Sequence, residues 1–371
     1  MSPARPAGVP ILFAVALCAI PLYGQRWQMQ YLYDENKSSL VLADLKFPSA
    51  RRGIAVGYTE KGSRQEPTSV VTSDGGAHWR TVPLKELPIS LFFLNENVGW
   101  MVTAKGIWQT TETGSNWTKI GKTPLPCLRV YFIDENNGWA VGPQKAVFET
   151  HNGGKEWSKL PAAAEPPGDP QYSAYTWIAF ATPKLGLIAG YNQPPRRSWM
   201  PERPEWLDPE GAVARRDTPH LNYTLTTRDG GKTWHANSAS LFGETTRVCF
   251  SPDGAGLGLV EYGQSAAFPA EIYKLDWRTG KSVTVYKDKQ FSISDIALAP
   301  DGKAYLAGTV SAGRIRDVIP GKVRVLVSDD FKQWSEMVVD YRAVASRVTL
   351  ASSGSEIWLA TDNGMILKLG K

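Results

Sequence analysis

The sequence predicts an all-β protein, a seven-bladed β-propeller made of four-stranded blades. A pair of apolar strands recurs seven times along the chain, and a turn motif recurs downstream of these pairs. The composition agrees, because 14 Trp, 34 Gly and 26 Pro among 371 residues suit short strands joined by tight turns. Seven similar four-stranded units favour a closed propeller.

The first strand of each unit carries an alternating apolar pattern. The last of its four aligned positions is Phe or Leu in every unit, and the position two before it is Leu, Val or Ile. Alternation places these two positions on the same face of a strand. The seven aligned segments are residues 44–47, 90–93, 129–132, 177–180, 247–250, 295–298 and 347–350.

The second strand starts about six residues later and is apolar almost throughout. Residues 53–57 read Gly-Ile-Ala-Val-Gly and residues 138–142 read Gly-Trp-Ala-Val-Gly. Such runs are typical of strands that are buried on both faces. A third strand then leads into the turn motif, and a fourth strand follows it.

The turn motif reads Thr/Ser, any, Asp, any, Gly, any, any, Trp. Residues 72–79 and 227–234 fit it fully, 110–117 and 150–157 have Glu or Asn at the Asp position, and 328–334 is one residue short. We call these five segments the box turns. An oxygen acceptor and Gly both favour a tight turn, whereas Asn lacks the charge that a metal site or catalytic carboxylate usually needs. The motif therefore predicts structural residues, namely Asp74, Trp79, Glu112, Trp117, Asn152, Trp157, Asp229 and Trp234.

The seventh unit has no fourth strand of its own before the chain ends. Residues 27–31, Trp-Gln-Met-Gln-Tyr, resemble the strand that follows a box turn. We therefore expect the N-terminal strand to join the last blade and close the ring, which would cover an open sheet edge.

Residues 1–24 are typical of a signal peptide, with Arg5 ahead of an apolar stretch over residues 9–22. They predict an exported protein, periplasmic or secreted, without a stable membrane span after cleavage. An uncleaved anchor is one alternative, and lipidation at Cys18 is another, although a lipoprotein signal would want a residue smaller than Leu17 before the Cys. Residues 25–371 then form one domain, in which Cys127 and Cys249 fall on different units and are expected to be separate thiols.

The longest loop is an insert at residues 192–222, between the second and third strands of unit four. Smaller inserts are expected at residues 58–67 in unit one, 261–270 in unit five and 310–321 in unit six. In a propeller these loops share a face with the links between blades, opposite the box turns. Arg and Trp are favoured binding anchors, although a solvated loop would also be rich in Arg. The predicted binding residues are Arg196, Arg197, Trp199, Arg203, Trp206, Arg215, Arg216, Arg314 and Arg316.

Several chemistries find no support in the sequence. A formal net charge of +5 is too small to indicate a nucleic-acid partner. The four His residues lack metal-ligand spacing, and the Gly pairs lie in turns instead of phosphate-binding loops. We therefore predict no cofactor, no metal and no nucleic-acid partner.

The box turns, together with the Asn-Gly-Trp-Ala-Val-Gly segment at 137–142, resemble those of BNR/Asp-box propellers. Among these, the chain is most similar to the photosystem II stability and assembly factor family and its bacterial relatives, over most of residues 27–371. The resemblance implies an exported, non-enzymatic scaffold that binds a protein partner. It identifies no binding residue.

The alternative is a glycoside hydrolase, sialidase-like or active on polysaccharides, because such enzymes share Asp boxes. Carbohydrate is then the ligand. Glu261 and Tyr262 with Arg314 and Arg316 would be the nearest match to a sialidase site. The carboxylates available on the same face are Asp169, Asp208, Glu210, Glu261 and Asp317.

Overall fold

The computed structural model describes residues 25–35, 38–121, 126–194, 207, 219–251, 254–263, 268–276, 280–310, 319 and 321–370. Within these residues the strands form seven sheets, one for each predicted unit. Six sheets have four antiparallel strands in chain order, and the seventh has five. The predicted fold, a seven-bladed propeller with four-stranded blades, is confirmed.

The first four blades follow one another along the chain. Blade one contains β2 (Ser39–Lys46), β3 (Gly53–Lys61), β4 (Arg64–Thr72) and β5 (Arg80–Pro83). Blade two contains β6 (Pro88–Phe93), β7 (Gly99–Thr103), β8 (Gly106–Thr110) and β9 (Thr118–Ile120). Blade three contains β10 (Arg129–Phe132), β11 (Gly138–Val141), β12 (Val147–Thr150) and β13 (Ser158–Lys159). Blade four contains β14 (Ser173–Phe180), β15 (Gly186–Asn192), β16 (His220–Thr227) and β17 (His235–Leu241).

The remaining blades include the closing strand. Blade five contains β18 (Gly243–Phe250), β19 (Gly256–Tyr262), β20 (Ala270–Asp276) and β21 (Lys281–Lys287). Blade six contains β22 (Phe291–Leu298), β23 (Ala304–Val310), β24 (Val323–Ser328) and β25 (Ser335–Glu336). Blade seven contains β27 (Val348–Ser353), β28 (Glu356–Thr361), β29 (Met365–Leu369), the N-terminal β1 (Arg26–Leu32) and the short β26 (Val338–Val339).

Helical structure in the described residues is limited to two 3-10 turns, Pro161–Ala164 and Pro170–Tyr172, in the link between blades three and four. The described chain has no helix with the length and apolar character that crossing a membrane requires.

The first strands of the blades form the innermost circle of the ring. Each first strand contacts the first strand of the next blade, from β2 through β27 and back to β2. The first strands therefore line the channel along the ring axis. We call the upper face the one that carries the links between blades and the turns between second and third strands. The box turns lie on the opposite, lower face.

The N-terminal strand closes the ring as predicted, and it is held from both sides. β1 pairs antiparallel with β29, with Trp27 opposite Leu369 and Leu32 opposite Met365. On its outer side, Arg26 and Trp27 pair in parallel with β26, which directly follows the last strand of blade six. Blade six thus contributes a second connection to blade seven.

Aromatic stacking joins neighbouring blades wherever the second strand carries Trp. Each Trp stacks on the Phe that ends the first strand of the following blade, at ring-centroid distances of 4.0, 3.7 and 5.1 Å. The three pairs are Trp358 with Phe47, Trp100 with Phe132 and Trp139 with Phe180. The apolar pattern of the first two strands therefore encodes contacts between blades as well as within them.

Two sequence-based expectations need correction. Residues 58–67 were expected to be an inserted loop, but β3 and β4 continue through them as one ladder as far as Lys61 and Arg64. In unit seven, Thr349 pairs with Ala360 of the second strand. In the other six blades, the residue that pairs with this position of the second strand is the first of the four aligned residues. The true equivalent of residues 44–47 is therefore 349–352, two residues later than the apolar pattern suggested. Cys127 and Cys249 are both free thiols, as expected.

Candidate functional site: the central channel

The box turns are closed by hydrogen bonds within the motif. The Thr227 hydroxyl accepts from the Gly231 amide at 2.9 Å, and Asp229 Oδ1 accepts from the Thr233 amide at 2.9 Å. The turn at Thr150 uses Asn152 in the same way, since Asn152 Oδ1 accepts from the Glu156 amide at 2.9 Å. A neutral amide can thus replace the carboxylate, as expected for a residue that shapes a turn.

The box turns also pack against the preceding blade. A Cβ at Gly231 would lie 2.0 Å from the Trp139 ring of blade three, and one at Gly76 would lie 2.3 Å from the Trp358 ring of blade seven. The Trp that ends the turn meets the same ring edge-on, as Trp234 does with Trp139 at 5.7 Å. These contacts support a structural role for the predicted box residues.

The nine predicted binding residues cannot be placed. Arg196, Arg197, Trp199, Arg203, Trp206, Arg215, Arg216, Arg314 and Arg316 all lie outside the described residues. What the structure does place is the base of the insert, because β15 ends at Asn192 and β16 begins at His220, both at the upper face.

A belt of polar side chains surrounds the channel at one depth. The first aligned position of strand one pairs with the same position of strand two in all seven blades. We call these seven residues the channel ring: Asp44, Ser90, Arg129, Trp177, Arg247, Asp295 and Thr349. Three of the blades thus present Arg or Trp to the channel, and two present Asp.

Two arginines of the ring flank one tryptophan. The Arg129 guanidinium carbon lies 4.2 Å from the centre of the Trp177 ring, and that of Arg247 lies 4.5 Å from it. The two arginines come from the blades on either side of Trp177, whose indole N–H donates to the Val248 carbonyl at 2.6 Å. These contacts with the indole help to fix both cations. Arg247 is held further, since its Nη1 donates to the Thr246 carbonyl at 2.9 Å and its Nε lies 3.5 Å from Asp295 Oδ1.

The two aspartates of the ring connect adjacent blades. Asp44 accepts from its own strand at the Leu45 amide, 2.9 Å away, and from the next blade at the Leu91 amide, 2.8 Å away. Asp295 repeats this with Ile296 at 2.9 Å and Leu350 at 2.8 Å. Because these carboxylates bind backbone amides, they are only partly available to neutralise the arginines.

Of the two arginines in the channel ring, Arg129 has the more distant carboxylate partner. Its Nη1 lies 3.9 Å from Asp44 Oδ2, while Lys46 Nζ approaches the same carboxylate at 2.7 Å. Burial, and then the nearby positive charge of Arg247, lower the pKa of Arg129 to about 10. A partly buried cation whose charged form is disfavoured by its surroundings gains from an incoming anion. The channel ring is therefore a candidate anion-binding site.

A further arginine lies nearer the upper face. Arg347 precedes Thr349 by two residues, and its backbone amide donates to Asp362 in the upper turn between β28 and β29. Its guanidinium contacts the Glu261 carboxylate at 3.0 and 3.5 Å. We call Arg347, Glu261 and the cross-strand neighbour Glu244 the channel mouth.

The channel ring was not predicted from the sequence, although its pattern is present there. Six ring residues stand in the first column of the aligned first strands, where Arg occurs three times and Asp twice beside apolar columns. The role of these residues follows from the place of the first strand beside the channel. That place is apparent only once the ring is closed.

The residues considered for a sialidase-like site separate in the structure. Glu261 faces Arg347, whereas the neighbouring Tyr262 hydroxyl contacts Glu271 at 3.1 Å in a different cluster. Asp169 caps the turn Pro170–Tyr172 by accepting from the Gln171 amide. Arg314, Arg316, Asp208, Glu210 and Asp317 lie outside the described residues. Among the described side chains, no three His, Cys, Asp or Glu residues are grouped as metal ligands would be.

Comparison with known proteins gives two curated relatives at low identity, and no protein-family model matches the chain. Photosystem II assembly protein Ycf48 of Thermosynechococcus vestitus is 22% identical over 259 residues, which cover 66% of this chain and 69% of that protein. Photosystem II assembly lipoprotein Ycf48 of a Synechococcus species is 21% identical over 277 residues, which cover 69% of this chain and 76% of that protein. The chain thus shows homology to Ycf48 at low identity.

Solved structures of similar proteins share the fold. A structure of YCF48 bound to D1 peptide has a TM-score of 0.58 at 18% identity and covers 92% of this chain and 99% of that chain. YCF48 from Cyanidioschyzon merolae has a TM-score of 0.59 at 16% identity and covers 93% of this chain and 98% of that chain.

Proposed function

We propose that this protein is an exported, non-enzymatic propeller that binds a partner protein at the upper face of its channel, in a role similar to that of photosystem II assembly factors. The pair of arginines stacked on Trp177 is the observation that carries the proposal. Preorganised guanidinium groups suit an acidic side chain or a chain-end carboxylate of a peptide segment.

The position of the arginines supports recognition of a peptide segment. They lie on the first strands of their blades, which form the innermost circle of the ring, so that an extended segment would reach them along the channel. Arg and Trp are also the side chains that most often dominate binding energy in protein interfaces. The similarity to a YCF48 structure that holds a D1 peptide agrees with a peptide ligand.

The insert between β15 and β16 is proposed as a second contact region. Its base at Asn192 and His220 lies on the upper face. Deletion of residues 194–218 should weaken capture of a partner from native extract while the propeller stays folded. Unchanged capture by a folded deletion protein would remove the insert from the binding surface.

The proposal is tested with a labelled acidic probe, the peptide Gly-Ala-Glu-Ala-Glu-Ala-Gly, and a neutral counterpart in which Gln replaces both Glu residues. Wild-type protein should bind the acidic peptide, and the Arg129→Gln variant should bind it roughly tenfold more weakly, as for a central interface arginine. Fluorescence anisotropy at two salt concentrations provides the measurement, since an ionic contact weakens with salt.

Arg342→Gln is the matched control, because Arg342 is an exposed arginine in the link between blades six and seven and, among the described residues, its ion-pair partner is Asp340. It should leave binding unchanged. Equal binding of the acidic and neutral peptides, or equal loss in both variants, would rule out the channel arginines as the binding site.

A further inference from the structure

The ion pair between Arg347 and Glu261 spans the channel mouth. Arg347 belongs to blade seven and Glu261 to the second strand of blade five, so the pair passes over blade six. The Arg347 side chain is 53% exposed and that of Glu261 is 26% exposed. The pair therefore lies where a ligand approaching the channel ring from the upper face would meet it.

Glu261 is held in this position by its own neighbours in blade five. The Thr246 hydroxyl donates to Glu261 Oε1 at 3.2 Å. Thr246 is the bulged residue that directly precedes Arg247 of the channel ring. The strand that carries Arg247 thus also holds the Glu261 carboxylate in place. This carboxylate already faces Arg347 before a partner binds.

Glu244 makes separation of this pair unfavourable. It lies directly opposite Glu261 in the β18–β19 ladder. Burial, and then the Glu261 charge, raise the pKa of Glu244. If Arg347 were drawn away, Glu261 would lose its cation while still facing Glu244, and like charges on adjacent strands repel.

We propose that Glu261 is a specificity-determining residue, an internal competitor that occupies Arg347 in the free protein and must be displaced by the acidic group of a partner. The inference rests on the proposed peptide-binding function and adds a selectivity device to it. Because Arg347 is already paired with Glu261, a weakly charged ligand cannot displace that carboxylate. Segments with several acidic groups are therefore preferred.

The decisive experiment uses the full chain and the acidic peptide described above. Glu261→Gln keeps the shape of the side chain but removes its charge, and it should bind the peptide about three- to fivefold more tightly, the range expected from losing a partly exposed ion pair. Arg347→Gln should bind more weakly than wild type. In the Arg347→Gln background, Glu261→Gln should have little further effect, because the contested cation is gone.

Two controls separate competition from a change in overall charge. Glu356→Gln breaks another ion pair, with Lys368 at 2.7 Å in blade seven, and should not change binding. Glu244→Gln removes a nearby charge that does not contact Arg347, and its effect should be the same with or without Arg347. A Glu261→Gln gain that persists in the Arg347→Gln background, or no gain at all, would overturn the inference. In that case the proposed function still stands if Arg129→Gln reduces binding, and it fails separately if Arg129→Gln does not.

Discussion

Glycine occupies the second strands for two different steric reasons. At the start of the strand, as at Gly99 and Gly138, an added Cβ would lie about 2.5 Å from the Phe ring that ends the first strand. Four residues after the first position of the strand, a Cβ at Gly57 or Gly308 would lie 1.8 or 2.1 Å from a first-strand carbonyl oxygen. In both cases the lack of a side chain allows the two strands to approach.

The second case gives a test with an internal control. Gly57→Ala should destabilise the protein strongly, by about 3 kcal/mol or more, because the blocking atom is backbone and cannot rotate away. At Gly258, an added Cβ meets only Leu275 side-chain atoms at 3.6 Å or more, so Gly258→Ala should change stability by less than about 1 kcal/mol. Urea denaturation of both variants measures the difference, and equal effects would contradict the steric explanation.

Asp229 gives a prediction about pH. Hydrogen bonds from the Thr233 hydroxyl and amide hold the pKa of Asp229 at about 2. Because the folded pKa is depressed, this carboxylate stabilises the protein above its unfolded pKa of about 3.9, and the contribution is lost as the pH falls towards 2. The stability difference between wild type and Asp229→Asn should be constant above pH 5 and shrink below pH 4.

Denaturation midpoints of the two proteins between pH 7 and pH 2.5 provide the measurement, with Asp34→Asn as a control for loss of a surface charge. Peptide binding by Asp229→Asn should match wild type, because the box turns lie on the lower face. A difference in stability that grows as the pH falls would contradict the assigned hydrogen bonds.

The sequence predicts individual residues well where the requirement is local. The Thr hydroxyl, the acceptor side chain and the Gly of a box turn interact within five residues, so the role of Asp229 follows from its neighbours. Arg129 and Trp177 are different, because they meet only when separate blades place them around one axis. Their chemistry is visible in the sequence but their contact is not.

At the scale of secondary structure, the Trp–Phe stacks connect the blades in pairs. Trp100 and Phe132 stack at 3.7 Å with an interplanar angle of 7°, and they come from adjacent blades. Blade one has Ile54 at the Trp position and so makes no such stack with blade two. The aromatic contacts between adjacent blades are therefore unevenly distributed around the ring.

A double-mutant cycle measures one of these contacts. Trp100→Leu and Phe132→Leu should each destabilise the protein, and together by less than the sum, with a coupling of about 0.5–1.5 kcal/mol for an aromatic pair. Trp100→Leu combined with Phe180→Leu is the matched control and should be additive, since Phe180 stacks on Trp139 instead. Equal coupling in both cycles would argue against a specific stack.

The apolar pattern predicts where the strands lie in the sequence. It does not predict the register in which they pair. In five blades a one-residue bulge precedes the channel ring, for example between Leu42 and Asp44. The bulge leaves the apolar alternation of the four aligned positions intact, so the sequence carries no sign of it. The two-residue misalignment at 347–350 has a similar cause, because alternation has a period of two and such a shift preserves it.

At the scale of the whole molecule, ring closure and binding depend on the same circle of strands. The channel ring is assembled from all seven blades, so its geometry exists only while blade seven is held to its neighbours. β1 provides this connection through β29 on one side and β26 on the other. The N-terminal strand, which lies far from the channel, is therefore expected to control the binding site.

A truncation series tests this dependence. Removal of residues 1–24 should leave the melting temperature unchanged, because β1 begins at Arg26. Removal of residues 1–32 also deletes β1, including Trp27, which is buried in the core of blades six and seven. This should lower the melting temperature by many degrees and abolish binding of the acidic peptide.

Adding a synthetic peptide with the sequence of residues 25–33 should restore both stability and binding, because the vacated sheet edge can pair with it. A truncated protein that keeps its stability but loses binding would place β1 in the binding site, and one that keeps both would show that the ring does not need the strand.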